Sequence, residues 1–151
     1  MTERNPPATN SLPDHMARWL EAVSKRLYAE LAVQVGGQFP ELRGGKRRIL
    51  QMIPPAGIRI TDLASLAGMT KQALGEFVDR LEEGGFVSSR RDAQDGRVRL
   101  VSRTPTGDLA ASKTQQAIEA VEGHWRAEIG PDRYDIMKQA LRELGRDSFQ
   151  M

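Results

Sequence analysis

Residues 61–83 constrain the fold more than any other part of the sequence. Two helices that meet across a tight turn need a small residue where they touch, a glycine whose φ can be positive, and an apolar residue early in the second helix. Ala64, Gly68 and Leu74 meet these needs at separations of four and six residues. The other apolar positions of the short core are filled by Leu63, Ala67, Met69 and Phe77. The segment predicts a helix-turn-helix, with Thr70 as the N-cap of its second helix.

Residues 86–103 switch to the two-residue period of β-strands and predict a hairpin. Its strands, at 86–91 and 97–103, flank a turn-forming run of Asp-Ala-Gln-Asp-Gly at 92–96. Because the hairpin directly follows the second helix of the helix-turn-helix, it is interpreted as a wing. A brief strand is expected near residues 58–60. The order of elements predicts a winged helix-turn-helix.

Long amphipathic helices are predicted on both sides of this winged core. Apolar residues at three- and four-residue spacing predict a leading helix over 12–35, with Ser11 as its cap and Pro13 and Asp14 in its first turn. A shorter helix is expected from about Lys46 to the two prolines at 54 and 55. Two trailing helices follow Thr104 and extend to residue 147. The predicted fold class is mainly α with a small β-hairpin wing.

These elements predict one domain over residues 12–147, with flexible tails at 1–11 and 148–151. The winged part comprises residues 46–104, and the flanking helices comprise 12–35 and 105–147.

The composition excludes several classes of protein. The chain has no cysteine, which excludes disulfides, thiolate nucleophiles and cysteine-bound metals. No apolar run approaches the roughly 20 residues of a membrane span, and no secretory signal pattern is seen at the N-terminus, so a cytoplasmic protein is expected. His15 and His124 are the only histidines, and neither has a metal-ligand spacing or a nucleophile motif around it. The sequence therefore predicts neither an enzyme nor a metal or cofactor site.

Positive charge is concentrated in the middle of the chain. Residues 36–104 carry 12 basic and 8 acidic side chains, whereas 105–151 carry 6 and 8. Five of the basic residues are arginines in the predicted hairpin. A basic bias in the winged part favours attraction of phosphates there, although surface arginines are also common solubilising residues.

The stretch from Val78 to Gly107 resembles the MarR family of bacterial transcription regulators. The resemblance rests on Val-Asp-Arg-Leu-Glu at 78–82, Gly-Phe-Val at 85–87, Arg-Arg-Asp at 90–92, Asp-Gly-Arg at 95–97, and Thr-Pro-Thr-Gly at 104–107. It implies a homodimer held by the first and last helices, most typically a repressor that binds double-stranded DNA at a pseudo-palindromic operator. Recognition helices would enter successive major grooves, and wing tips would lie over the flanking minor grooves.

In this context eight residues are predicted to contact DNA or to hold such a contact in place. Arg97, at the wing tip, is expected to enter a minor groove, with Asp95 holding its guanidinium. Gly75 either permits close approach of the duplex or does not touch DNA. Glu76 either accepts a hydrogen bond from the amino group of a cytosine or faces solvent. The full set is Thr70, Lys71, Gln72, Gly75, Arg80, Arg90, Asp95 and Arg97. The basic run Lys46-Arg47-Arg48 is interpreted as a solvated helix face, with contact to phosphate as the alternative.

The resemblance also implies release of DNA by a small aromatic ligand bound between the dimerisation helices and the winged part. The side chains suited to line such a site are His15, Met16, Trp19 and Trp125. The alternative interpretation is that these residues form part of a dimer core.

Two other functions remain open from the sequence. The acidic residues of the second helix, Glu76, Asp79, Glu82 and Glu83, are unfavourable for phosphate and suit a winged helix that binds another protein. An architectural protein that binds DNA without sequence preference is the other alternative.

Overall fold

The computed structural model describes residues 13–149. The helices are α1 (Met16–Val35), α2 (Gly45–Met52), α3 (Ile60–Ala67), α4 (Lys71–Glu83), α5 (Pro105–Ile129) and α6 (Pro131–Gly145). The strands are β1 (Ile58–Arg59), β2 (Val87–Arg91) and β3 (Arg99–Arg103), and short 3-10 turns occupy Gly36–Gln38 and Arg146–Phe149. The predicted fold class, a mainly helical chain with a hairpin wing, is confirmed.

The helix-turn-helix forms as its spacing predicts. Gly68 ends α3 in the left-handed conformation with φ of 65°, and its N–H donates to the carbonyls of Ala64 and Ser65. A side chain at this φ would be strained, which explains the glycine. The hydroxyl of Thr70 accepts a hydrogen bond from the N–H of Ala73 at 3.2 Å and caps α4. Leu74, fully buried, fixes α4 against the core.

The wing belongs to a three-stranded antiparallel sheet in the order β1-β3-β2. Ile58 and Ser89 lie on opposite sides of Val101, which is fully buried. The expected strand at 58–60 is shorter, because Ile60 already begins α3. The predicted second strand also begins two residues late, since the N–H of Val98 bonds to the turn carbonyl of Asp95 at 2.9 Å.

Two apolar clusters stabilise the chain and meet at one aromatic residue. The larger cluster lies in the winged part, around Leu50, Leu63 and Leu81. The smaller one joins α1 to α5 and contains Leu31, Val35, Ala117 and Val121. Phe39, in the loop between α1 and α2, packs against both clusters. It therefore lies at the junction between the winged part and the long helices.

The ends of the chain differ from the predicted boundaries. Helix α1 begins at Met16, so Pro13 and Asp14 precede it and the prediction that they form its first turn is wrong. The side chain of His15 provides the reason, because its Nδ1 accepts the N–H of Arg18 at 3.2 Å, as an N-cap does. The predicted cap at Ser11 and the tail at 1–11 lie outside the described residues. Of the predicted tail at 148–151, the first two residues belong to the final 3-10 turn.

Candidate DNA-binding surface

The first turn of α4 presents polar groups to solvent. Thr70, Lys71 and Gln72 are exposed at the helix N-terminus, where backbone N–H groups and the helix dipole favour an anion. Arg80 lies further along the helix, is exposed, and has no acidic partner among residues 13–149. These four side chains are therefore available for a polyanion.

Two of the acidic residues on α4 are paired with one arginine of the wing. Arg99 on β3 donates from Nη2 to the Oε2 atom of Glu82 at 2.8 Å, and its Nη1 atom forms an ion pair with the Oδ1 atom of Asp79 at 2.8 Å. The N–H of Ser89 donates to Glu82 at 2.9 Å, and the Ser89 hydroxyl also bonds to this carboxylate. Two of the four carboxylates that made the helix look unfavourable for phosphate thus hold the wing against α4, whereas Glu76 and Glu83 stay exposed. This pairing could not be predicted from the sequence, because the partners lie on different elements.

The ion pair also affects the ionisation of Glu82. Partial burial would raise the pKa of this carboxyl, but the hydrogen bonds from Ser89 and Arg99 outweigh burial and lower the pKa below its ordinary value. A carboxylate with a lowered pKa stabilises the fold above its unfolded pKa of about 4.3 and loses that effect as the pH falls through the folded value.

We expect Glu82→Gln to lower the free energy of unfolding by about 1 kcal/mol at pH 7, because a neutral amide cannot pair with Arg99 and the site is partly exposed. The difference from the wild type should shrink as the pH falls below about 4.3 and disappear below the lowered pKa of the folded state, where the wild-type carboxylate is neutral too. Urea unfolding at neutral and acidic pH measures both effects. Glu83→Gln, at an exposed neighbour, serves as the control and should change neither. If Glu82→Gln lowers the free energy of unfolding equally at neutral and acidic pH, this account is contradicted.

Not all the arginines of the wing are available for a ligand. Arg99 is paired with α4, Arg103 forms an ion pair with Asp108 at 2.9 Å, and Arg91 donates to the carbonyl of Gly96 at 3.2 Å. Arg90 and Arg97 are exposed and have no acidic partner within the described part of the chain. The wing therefore presents two unpaired cations.

The turn of the wing is held by side chains that accept backbone bonds. Asp92 accepts from the N–H of Gln94 at 2.9 Å, and Asp95 accepts from the backbone N–H of Arg97 at 3.0 Å. The carboxylate of Asp95 was expected to hold the guanidinium of Arg97, but it accepts the backbone N–H of that residue instead. Asp95 shapes the turn and leaves the guanidinium unpaired.

Gly75 lies in the interior of α4, and a Cβ built there meets nothing within 4 Å. The space in front of this backbone is therefore open, as the close-approach interpretation requires. Glu76, the next residue, is exposed.

We expect Gly75→Ala to raise the free energy of unfolding by about 0.5–1 kcal/mol, because alanine loses less backbone entropy in a helix. If the duplex approaches this backbone as proposed below, the new methyl group should weaken DNA binding by about fivefold or more. Gly123→Ala on α5 is a matched control, since a Cβ there also meets nothing within 4 Å. It should raise stability and leave DNA binding unchanged. Unchanged binding in Gly75→Ala would remove this residue from the contact surface.

The basic run at the start of α2 does not form the solvated face that was expected. Arg47 is only 8% exposed, and Arg48 donates from Nη2 to the carbonyl of Ala67 at 3.1 Å. The expectation is therefore wrong for Arg47. Because Lys46, Arg47 and Arg48 are all basic, the sequence does not indicate which of them turns inward.

The four predicted ligand-binding residues do not line a common pocket within one protomer. His15, Met16 and Trp19 lie at the first turn of α1, where the indole N–H of Trp19 donates to Asp14 at 2.5 Å. Trp125 lies on α5 and donates its indole N–H to Glu30 at 3.0 Å, several turns further along α1. Arg26 lies over the ring of Trp125 at 5.2 Å from its centroid. Within the chain, Trp125 therefore packs α5 against α1.

Comparison with known proteins points to the same family as the sequence. The sequence model of the MarR family matches residues 48–98, which run from α2 to the turn of the wing. The winged part of the chain is therefore similar to the MarR family. It is 26% identical over 100 residues to the HTH-type transcriptional repressor Mb2911 of Mycobacterium bovis, covering 66% of this chain and 70% of that protein.

Two solved MarR-family structures have the same fold. The first is a mutant of MarR from Escherichia coli complexed with operator DNA, with a TM-score of 0.72, 18% identity, and coverage of 85% of this chain and 91% of that one. The second is the PcaV transcriptional regulator of Streptomyces coelicolor in complex with its natural ligand. It has a TM-score of 0.71 and 19% identity, and covers 88% of this chain and 93% of that one.

The relatives that the chain matches are transcriptional regulators, which agrees with the prediction of a regulator rather than an enzyme. None of the helices within residues 13–149 combines the length and the apolar character needed to cross a membrane.

Proposed function

We propose that this protein is a homodimeric repressor of the MarR type that binds a pseudo-palindromic operator in double-stranded DNA. One observation carries the proposal. Arg99 pairs with both Asp79 and Glu82, while Lys71, Arg80, Arg90 and Arg97 stay exposed without acidic partners among residues 13–149. The face made by α4 and the wing therefore keeps these four cations for a polyanion, whereas two of its carboxylates are held by Arg99.

Each element has a distinct role in this proposal. Helix α4 enters the major groove, where Gln72 reads a base edge and the helix N-terminus receives a phosphate. Arg97 enters the adjacent minor groove, where the negative potential favours a guanidinium. Arg80 and Arg90 contact phosphates on either side. The ion pairs of Arg99 fix the separation of the two elements and hence the spacing of the two contacts.

An uncovered apolar stripe on α1 supports the homodimer. Met16, Trp19, Leu20 and Val23 share one face of the helix, and each is at least 44% exposed. The continuation of the same stripe, at Leu27 and Leu31, is covered by α5. Helix α6 adds exposed Ile136, Leu141 and Leu144. A second copy of the chain that covers these faces would place two winged parts in two-fold symmetry, which matches a palindromic site.

The repressor role is supported by the relative Mb2911, which is named a transcriptional repressor. Control by a small aromatic ligand is part of the same proposal, supported by PcaV, whose structure holds its natural ligand. A ligand that binds the non-binding geometry of the dimer more tightly would release the operator.

Binding to a random-sequence duplex, measured by fluorescence anisotropy at several salt concentrations, tests the electrostatic part of the proposal. We expect the affinity to fall steeply as salt rises, because each phosphate contact releases counterions. Absent or salt-insensitive binding would favour a winged helix that binds another protein. Competition between one selected duplex and the random pool then separates a sequence-specific regulator from an architectural protein. Equal affinity for both would contradict the proposed operator recognition.

A further inference from the structure

The carboxylates of α4 differ in whether another residue of the chain holds them. Asp79 and Glu82 are paired with Arg99 of the wing. Glu83 is exposed at the last residue of the helix, at the opposite end from the N-terminus that the proposed function places in the groove. Glu76 is exposed in the second turn and has no ion pair or side-chain hydrogen bond within residues 13–149. Among the carboxylates of α4, Glu76 alone is both unpaired and near the end of the helix that would enter DNA.

The surroundings of Glu76 leave room for a base edge. Gly75, the residue before it, carries no side chain, and a Cβ built there meets nothing within 4 Å. Gln72 lies one helical turn earlier on the same face and is also exposed. Four residues of helix span about 6 Å along its axis, which is close to two base-pair steps of about 3.4 Å. Gln72 and Glu76 can therefore contact bases that lie within about two pairs of each other.

A carboxylate in a DNA groove is unfavourable unless it accepts a hydrogen bond. Phosphates repel it, and so do the acceptor atoms that guanine and thymine present in the major groove. Cytosine and adenine each present an amino group there. The amino group of adenine has the N7 acceptor beside it, which repels the second carboxylate oxygen, whereas cytosine has a C–H at that position. Cytosine is therefore the base that a carboxylate favours most.

We propose that Glu76 is a specificity-determining residue that accepts a hydrogen bond from the N4 amino group of a cytosine in each half of the operator. The inference rests on the proposed function, because it requires α4 in the major groove, and it adds a base preference to that function. Glu76 acts largely by rejection, since its charge is repelled wherever no amino group meets it. Each half-site should contain this cytosine within about two base pairs of the base that Gln72 contacts.

The first test is selection of binding sites from a random duplex pool with the wild type, Glu76→Ala and Glu76→Gln. The wild type should enrich a cytosine at one fixed position of each half-site. Glu76→Ala should enrich the same palindrome without a preference at that position. Glu76→Gln should shift the preference to adenine, because an amide accepts from N6 and donates to N7. Both variants should keep the wild-type Tm, since Glu76 is exposed and alanine and glutamine favour helices.

A duplex with N4-methylcytosine at the selected position identifies the atom that is recognised. The methyl group takes the place of the amino hydrogen that faces the major groove, while the other hydrogen still pairs with guanine. In anisotropy titrations this change should weaken binding of the wild type by about tenfold and leave binding of Glu76→Ala unchanged. Glu83→Ala is the matched control, because it removes the same charge from the same helix about 10 Å further along. It should respond to the methyl group as the wild type does.

The two experiments separate failure of this inference from failure of the proposed function. A palindrome without a cytosine preference, or a cytosine preference that survives in Glu76→Ala, would overturn the role of Glu76 and leave the proposed function standing. Equal sensitivity of the wild type and Glu76→Ala to N4-methylcytosine would do the same. If none of the three proteins enriches a common sequence, the proposed function and this inference both fail.

Discussion

Replacing Arg97 with alanine is expected to weaken binding to a selected duplex by about 10- to 100-fold, the range typical of a buried arginine contact in a DNA groove. Arg97 lies at the tip of the wing, and the turn that carries it is held by bonds that do not use its guanidinium. The substitution should therefore leave the fold and the Tm unchanged. Anisotropy titrations at several salt concentrations measure both the affinity and its salt dependence.

Arg133→Ala is the matched control for this experiment, because it removes an exposed arginine from α6, away from α4 and the wing. It should change the affinity by less than about twofold, through net charge alone. If Arg97→Ala has the same affinity and salt dependence as the wild type, the wing plays no part in DNA binding.

A charge introduced into the uncovered apolar stripe of α1 should change both the oligomeric state and the DNA affinity, and this is the second large effect that we expect. Leu20 lies in the middle of this stripe and is 44% exposed, so Leu20→Glu should not disturb the interior of the chain. It should convert a dimer into a monomer of 16.8 kDa. Because a monomer can occupy only one half-site, binding to a palindromic duplex should fall by about 100-fold or more. Light scattering coupled to size-exclusion chromatography measures the mass.

Val33→Glu is the control for Leu20→Glu. Val33 is 80% exposed on the same helix but lies off the stripe, so the same new charge should leave the mass and the DNA affinity unchanged. A dimer that persists in Leu20→Glu would show that the stripe on α1 is not the interface.

Features that depend on local spacing could be predicted from the sequence. Ala64, Gly68 and Leu74 specified the helix-turn-helix, because each requirement concerns residues within one turn or one helix contact. The wing was predicted from the two-residue period of the strands on either side of the turn-forming run at 92–96. These signals are encoded within a few residues, so tertiary packing had little opportunity to override them.

Features that join distant segments could not be predicted in this way. The pairing of β1 with β3 depends on residues more than 40 positions apart. The ion pairs of Arg99 with Asp79 and Glu82 join the wing to α4, and the sequence alone suggested instead that these carboxylates repel DNA. Arg47 is buried whereas Arg48 next to it is exposed, and this difference depends on how α2 packs in the folded chain. In each case the residue types can be read from the sequence, but the residues that they contact in the fold cannot.

Selection of binding sites from a random double-stranded DNA pool at near-physiological salt tests the central claim most directly. The account predicts enrichment of a palindrome whose half-sites are about one helical turn apart, because two copies of α4 related by two-fold symmetry enter successive major grooves. Recovery of no common sequence, or of a single site without two-fold symmetry, would contradict a dimeric operator-binding repressor.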